Sequence, residues 1–204
     1  MDVIDKNLCV IPARGGSTRI PRKNIKLFYG KPIIAYSIEA ALKTGLFNTV
    51  LVSTDDEEIG GIAQKYGADV LFRPSHLAEN SVGTFEVVRH ALKVYGNEHY
   101  AYVCCIYATS PMISVDDIAT GYRYINVSAN DIDHVISVGY PPLQDAAQFY
   151  WSYSQAIWDD DGYFSKKSVT QTILIDRRRV CDINTPWDWA QAERMYRELN
   201  RDRE

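Results

Sequence analysis

The chain has 204 residues, of which 46% are hydrophobic and 24% are charged, as is typical of a soluble globular protein with a substantial core. The net charge of −4 argues against nucleic acid as the main partner, because nucleic-acid-binding domains are usually basic. No apolar run approaches the roughly 20 residues that span a bilayer, and residues 1–6 do not resemble a signal peptide. We therefore expect a cytoplasmic protein that does not bind membranes.

The first two-thirds of the chain alternates strand patterns with helix patterns. Helical spacing of apolar residues predicts four helices: the first has Pro32 in its first turn and stops at Gly45, and the second is capped by Asp55 and stops at Gly67. The third and fourth contain residues 88–95 and 118–125. Strands are predicted at the apolar or β-branched runs 8–11, 49–54, 69–72, 100–107 and 134–138. This order predicts an α/β fold with a mainly parallel sheet between two layers of helices, a three-layer Rossmann-like architecture.

The alternation ends near Gly139. Strands are predicted at residues 148–153 and 172–175, with a turn at 159–162 between them, and an amphipathic helix runs from Pro186 to about Asn200. Since the sequence has no internal repeat or convincing linker, we expect residues 1–204 to form a single domain. The four cysteines lack C-x-x-C spacing, which favours small buried hydrophobic residues over metal ligands or disulfides.

The most informative segment is the basic loop, residues 11–24 (IPARGGSTRIPRKN), which continues from the first predicted strand. Gly15, Gly16 and Ser17 form a turn whose backbone N–H groups can point into one concavity. Countercharge comes from four cations, Arg14, Arg19, Arg22 and Lys23. A solvated basic loop is the alternative, but the position at a strand end in an acidic chain favours a polyphosphate site. The chain has neither a G-x-x-x-x-G-K-[ST] nor a G-x-G-x-x-G motif, which argues against a Walker-type or dinucleotide-binding site.

Polar residues also follow other predicted strands. Asp55 and Asp56 follow the strand at 49–54, Arg73 follows the strand at 69–72, and residues 109–111 follow the strand at 100–107. Each has a structural alternative, namely a helix cap, an exposed arginine or a simple turn. The sequence leaves these alternatives open.

A second oxygen-rich segment precedes the last helix. Thr185, Pro186 and Asp188 make a good helix start, but Asp182 and Asn184 are not explained by it. These two oxygen donors, at i and i+2, face the same way if the segment is extended. Beside a polyphosphate they suit Mg²⁺, which takes few protein ligands and shares phosphate oxygens.

Together these segments resemble the cytidylyltransferases that activate nine-carbon acidic sugars, the CMP-sialic acid synthetase family. The resemblance covers nearly the whole chain in order, and QDAAQFYW favours the branch of the family that acts on pseudaminic acid. The segments that carry it are IPARGGSTRIPRKN (11–24), GKPIIAYSIEAAL (30–42), VSTDDEEI (52–59), RPSHLAEN (73–80), ATSP (108–111), QDAAQFYW (144–151) and DINTPWDW (182–189).

The resemblance implies a nucleotidyltransferase (nucleotide-diphospho-sugar transferase) fold and a Mg²⁺-dependent reaction. CTP and a 2-keto-3-deoxy sugar acid with nine carbons would give the CMP-sugar and pyrophosphate. Catalytic roles fall to Arg14, Lys23 and Asp182. Sugar contacts fall to Tyr107 and Gln148, and metal contacts to Asp182 and Asn184. The implied nucleotide-binding residues are Ala13, Arg14, Gly15, Gly16, Ser17, Arg19, Lys23, Asn24, Arg73 and Thr84, with the backbone at Ala13 and the side chain of Arg73 on cytosine.

Four departures from the family keep other functions open. The family usually has lysine at Thr18, aspartate at Asn184 and aspartate at Asn80, and a longer dimerisation arm in place of residues 139–143. The missing arm predicts a monomer or a weak homodimer. The alternatives are the same reaction on sialic, legionaminic or another related acid, or a nucleotide-binding homologue with impaired catalysis.

Overall fold

The computed structural model describes residues 6–127, 132–159 and 168–201, and its centre is a seven-stranded sheet. A separate two-stranded hairpin, β2 with β3, lies in the connection after the basic loop. The strands are β1 (Asn7–Pro12), β2 (Leu27–Phe28), β3 (Lys31–Pro32), β4 (Thr49–Thr54), β5 (Asp69–Phe72), β6 (Tyr102–Ile106), β7 (His134–Gly139), β8 (Gln144–Tyr153) and β9 (Thr170–Ile175). The helices are α1 (Ile34–Thr44), α2 (Glu57–Lys65), α3 (Thr84–Tyr95), α4 (Val115–Val127), α5 (Ala156–Asp159) and α6 (Pro186–Asn200).

The strand order is β5-β4-β1-β6-β8-β7-β9. Strands β5, β4, β1 and β6 are parallel neighbours, and β9 is parallel to β7. Among the described strands of this sheet, β8 alone runs antiparallel to its neighbours, because a short turn at 140–143 joins it to β7, and a turn of that length connects antiparallel strands. The prediction of a mainly parallel α/β sheet is therefore confirmed.

Helices cover both faces of this sheet, so the molecule has three layers. Helices α1, α2 and α4 pack on one face, and α3 and α5 pack on the other. Successive strand residues supply opposite faces, as Cys104 and Cys105 do. Both are buried and, like Cys9, carry free thiols, as the sequence predicted; Cys181 is half-buried.

A smaller apolar cluster lies under the last helix. Helix α6 begins at Pro186, as predicted, with a reciprocal cap in which the side chains of Thr185 and Asp188 accept from each other's backbone N–H groups. Its Trp189 packs edge-on against Phe28 of the small hairpin. Among the described helices, none combines the length and the apolar composition that crossing a bilayer requires.

Several local predictions were wrong. Pro32 lies in β3 rather than in the first turn of α1, which starts after Ile33. Asp56 rather than Asp55 caps α2, because the extended backbone of Asp56 lets its Oδ1 accept the N–H of Ile59 at 3.0 Å. Strands β8 and β9 begin earlier than predicted, and the turn predicted at 159–162 lies mostly outside the described residues.

Candidate active site

One cavity of about 270 Å³ lies at the carboxyl ends of the parallel strands and is lined by Pro12 at the end of β1, Arg73 after β5 and Tyr107 after β6. We call it the central cavity. Parallel strands bring the loops that follow them to the same edge of the sheet, which is why the predicted segments meet here. It is lined by nine of the predicted site residues: Arg14, Ser17, Arg19, Lys23, Asn24, Arg73, Thr84, Tyr107 and Asn184.

The other predicted residues lie around this lining. Ala13 is buried at the end of β1, where its N–H donates to the carbonyl of Ser53 at 2.9 Å. Gly16 lines an adjoining shallow cavity with Arg14. An adjoining cavity that shares Arg14, Lys23 and Asn184 is also lined by Thr18 and Asn80, two of the departures from the family pattern.

The two glycines of the basic loop differ in their surroundings. The N–H of Gly15 donates to Oδ1 of Asp55 at 3.0 Å. A Cβ added at Gly15 would lie 2.5 Å from Oδ2 of Asp56, so only glycine fits there, whereas a Cβ at Gly16 would have no neighbour within 4 Å. Gly15 is therefore required by a close approach to the loop after β4.

Arg22 does not line the central cavity, unlike the other three cations of the basic loop. Its guanidinium forms a forked ion pair with Asp56 and a further ion pair with Glu58. The sequence grouped Arg22 with the countercharges of a phosphate, and that interpretation was wrong. The pairing joins residues 34 positions apart, which the local pattern does not reveal.

Lys23, near the C-terminal end of the basic loop, is held by a hydrogen bond to a distant backbone carbonyl. Its Nζ donates to the carbonyl oxygen of Ile183, and the lysine is half-buried. Burial lowers the pKa of Lys23, Asp182 opposes that shift, and the neighbouring Arg19 and Arg14 add to it. A cluster of cations of this kind is stabilised when an anion binds among them.

Arg73 is the most buried cation of the site, with 7% of its surface exposed. It donates from Nη1 to the carbonyl oxygen of Ser53, and its Nε has no hydrogen-bond partner among the described residues. Burial lowers the pKa of Arg73, with Asp55 opposing and Arg14 adding to the shift. A buried guanidinium with an unused donor suits a polar ligand that accepts hydrogen bonds.

Thr84 begins α3 and lies on the wall of the cavity, where its Oγ1 accepts a hydrogen bond from the hydroxyl of Tyr150 at 3.1 Å. Tyr107 follows β6 and is bonded through its N–H to the carbonyl of Gln148 at 2.9 Å. Gln148 itself lies outside the lining, buried in β8, where its Nε2 donates to the carbonyl of Arg179. The structure thus places Gln148 beside Tyr107 but behind the wall of the central cavity.

The two predicted metal ligands face each other. The amide of Asn184 donates from Nδ2 to Asp182, and its Oδ1 accepts from Nη2 of Arg19 at 3.1 Å. The exposed carboxylate of Asp182 fits Mg²⁺. For Asn184 to bind the cation as well, its Oδ1 would have to break the hydrogen bond with Arg19. Across 6–127, 132–159 and 168–201, no three His, Cys, Asp or Glu side chains converge on a metal site.

Some residues that shape the site were missed or left open by the sequence. Asp55 and Asp56, which the sequence allowed as either a cap or a site, also anchor the basic loop: Asp55 binds the N–H of Gly15, and Asp56, besides capping α2, binds Arg22. The carbonyl of Ile183 carries no sequence signal, because any residue type supplies one. Asn80 was noticed only as a departure from the family, yet it lines the cavity.

Known proteins that are similar to this chain include cytidylyltransferases and a related synthase. Residues 8–178 match the family model described as "Cytidylyltransferase". A pseudaminic acid cytidylyltransferase of Campylobacter jejuni is 36% identical, with 94% of this chain and 97% of the relative covered. A CMP-N,N'-diacetyllegionaminic acid synthase of Legionella pneumophila is 30% identical, with 96% and 97% covered.

One solved structure resembles the fold closely. A CMP:2-keto-3-deoxy-manno-octonic acid synthetase, solved with CTP, superposes with a TM-score of 0.77 over 96% of this chain and 100% of its own, at 17% identity. The alignment with the C. jejuni protein spans 226 positions, which exceeds the 204 residues of this chain. That relative therefore has residues with no counterpart here.

Proposed function

The chain belongs to the cytidylyltransferase family, and from this membership and the geometry of the central cavity we propose that it transfers CMP from CTP to a nonulosonic acid. The observation that carries the proposal is the convergence of Arg14, Arg19, Lys23 and Arg73 on one cavity. Among the described residues that line this cavity, Glu79 is the only acidic one. Such a cluster suits the triphosphate of CTP.

The nucleotide is expected to lie along the ends of β1 and β5, which Ala13 and Arg73 directly follow. The backbone at Ala13 and the guanidinium of Arg73 would recognise cytosine, and the unused Nε of Arg73 supports this role. Asn24, whose Nδ2 donates to the carbonyl of Arg14 at 2.9 Å, and Thr84 would contact the rest of the nucleoside. Arg14 and Lys23 would then reach the phosphates from the basic loop.

The chemistry is a displacement at phosphorus. The anomeric hydroxyl oxygen of the sugar acid bonds to the α-phosphorus of CTP and gives up its proton to solvent, the bond from this phosphorus to the bridging oxygen breaks, and pyrophosphate leaves. The protein positions the two reactants, and Arg14 and Lys23 stabilise the negative charge that develops. Asp182 would help to orient the sugar hydroxyl.

We propose Mg²⁺ as the cofactor, held by Asp182 and by Asn184 once its oxygen leaves Arg19. When bound, it would neutralise charge on the phosphate oxygens. Because CTP is a cytoplasmic metabolite, we expect the protein to act in the cytoplasm.

Pseudaminic acid is the favoured sugar, because the C. jejuni relative that matches over 94% of this chain is named as a cytidylyltransferase of that acid. The L. pneumophila relative, named for a legionaminic acid, makes that acid the alternative. Tyr107 would line the sugar pocket, with Gln148 supporting it through the backbone bond. Pyrophosphate release with CTP and Mg²⁺, measured across pseudaminic, legionaminic and sialic acids, tests the choice. Preference for pseudaminic acid supports it, and turnover with none of the three refutes the proposed reaction.

A further inference from the structure

Asp56 performs two tasks at the start of α2. Its Oδ1 accepts the N–H of Ile59 and so caps the helix, and the same oxygen accepts from Nη2 of Arg22 at 3.0 Å. Its other oxygen binds Nη1 of the same guanidinium. The fork therefore ties residue 22 of the basic loop to a fixed point at the end of β4.

Arg22 adopts a backbone conformation that this contact helps to explain. Its φ of 55° lies in the left-handed region, which is uncommon for any residue other than glycine and persists when surrounding contacts hold it. Arg22 directly precedes Lys23, so the direction of the chain at Arg22 sets where the lysine points. Asp56 is less exposed than Glu58, with side-chain exposures of 20% and 67%.

The start of the basic loop is attached to the same place. Asp55 accepts the N–H of Gly15, and the space beside Gly15 is filled by Asp56. Gly15 directly follows Arg14. Two successive carboxylates after β4 thus hold the loop at the residue after Arg14 and at the residue before Lys23.

We propose that Arg22 and Asp56 are positioning residues, whose ion pair fixes the basic loop on the start of α2 and thereby sets the positions of Arg14 and Lys23. The expected effect on CTP binding rests on the proposed function. The attachment of the basic loop to the start of α2 does not depend on it. Neither residue lines the central cavity, so their effect on CTP would be transmitted through the loop.

Asp56→Asn is the decisive variant. Asparagine is as good a helix cap as aspartate, so the first turn of α2 is retained while the charged, forked partner of Arg22 is lost. Glu58→Gln is the matched control, because it removes a carboxylate from the same arginine at a more exposed position. Arg22→Lys keeps one charge and loses the fork, so an intermediate effect is expected.

Two measurements separate the attachment from its consequence. Trypsin cleavage within residues 11–24, mapped by mass spectrometry, reports how firmly the loop is held, and neither Asp56→Asn nor Glu58→Gln alters its cleavage sites. Calorimetric binding of CTP, together with KM for CTP and for the sugar acid, reports the consequence. The melting temperature of each variant shows that it is folded.

Asp56→Asn should be cleaved faster in the loop and should bind CTP about tenfold more weakly, with KM for the acid nearly unchanged. Glu58→Gln should behave as the wild type does. Unchanged cleavage and CTP affinity in Asp56→Asn, or a lower melting temperature alone, would overturn the inference. If the wild type binds no CTP, the proposed function fails, whereas faster cleavage of Asp56→Asn still supports the attachment.

Discussion

The ammonium group of Lys23 donates a hydrogen bond to the carbonyl oxygen of Ile183, a residue 160 positions further along the chain. This contact joins the basic loop to the segment that carries Asp182 and Asn184. A carbonyl is a neutral acceptor, so it orients the lysine without neutralising it. The positive charge of Lys23 therefore stays available for a phosphate.

Lys23→Ala should lower kcat/KM for CTP by about 100-fold, because a charge-assisted contact in a partly buried site is lost. Lys26→Ala is the matched control, since Lys26 lies 4.4 Å over the ring of Trp189 and lines none of the cavities at the loop. Steady-state kinetics with both variants measures the difference. Equal losses in the two variants would remove Lys23 from the mechanism.

Affinity for CTP should fall as the pH rises, and this loss should begin at a pH below 10.5, the ordinary pKa of a lysine. Burial lowers the pKa of Lys23, so its ammonium charge is present below that lowered pKa and is lost as the pH rises through it. Calorimetry without divalent cations measures the titration. Asp182→Asn removes a carboxylate that raises this pKa, so it should move the loss of affinity to lower pH. Lys23→Arg, which stays charged, should abolish the loss; an unchanged profile would contradict the assignment.

Asn184→Asp should lower the Mg²⁺ concentration that gives half-maximal activity. A second carboxylate attracts the cation more strongly than an amide whose oxygen already accepts from Arg19. A Mg²⁺ titration of turnover checks this, and Asp182→Asn should nearly abolish turnover while leaving the melting temperature unchanged. A titration that does not move in Asn184→Asp would place residue 184 outside the metal site.

The chain should be a monomer or a weak homodimer at micromolar concentration. The prediction rests on the turn at 140–143, which joins β7 directly to β8, with Gly139 paired to Gln144. No room is left there for the longer arm that the family resemblance implied. Sedimentation velocity is the direct test, and a tight dimer would mean that another surface forms the interface.

Much of the fold could be predicted because hydrophobic spacing is local. The bounds of β4 and β5 and the start of α6 were predicted correctly, since each is marked by a run of apolar or β-branched residues or by a capping pattern. The antiparallel direction of β8 could not be predicted from its own residues. It depends on the length of the turn before it and on which strand lies beside it.

The candidate site also has features that the sequence could predict and features that it could not. The meeting of Arg14, Lys23 and Arg73 could be predicted, because each follows or lies near the end of a strand. The position of Arg22 outside the cavity could not be predicted, because its ion pair with Asp56 is a tertiary contact. The helix cap predicted at Asp55 lies at Asp56 for a similar reason. Which of two adjacent carboxylates caps a helix depends on backbone geometry.

The transfer itself is tested most directly by following both products at once. CTP and pseudaminic acid are incubated with the protein and Mg²⁺, and the CMP-sugar and pyrophosphate are quantified by mass spectrometry and a coupled assay. We predict that the two products appear in a one-to-one ratio and that neither appears when the acid is omitted. Tight binding of CTP without either product, or pyrophosphate release that does not depend on any nonulosonic acid, would contradict the proposed reaction.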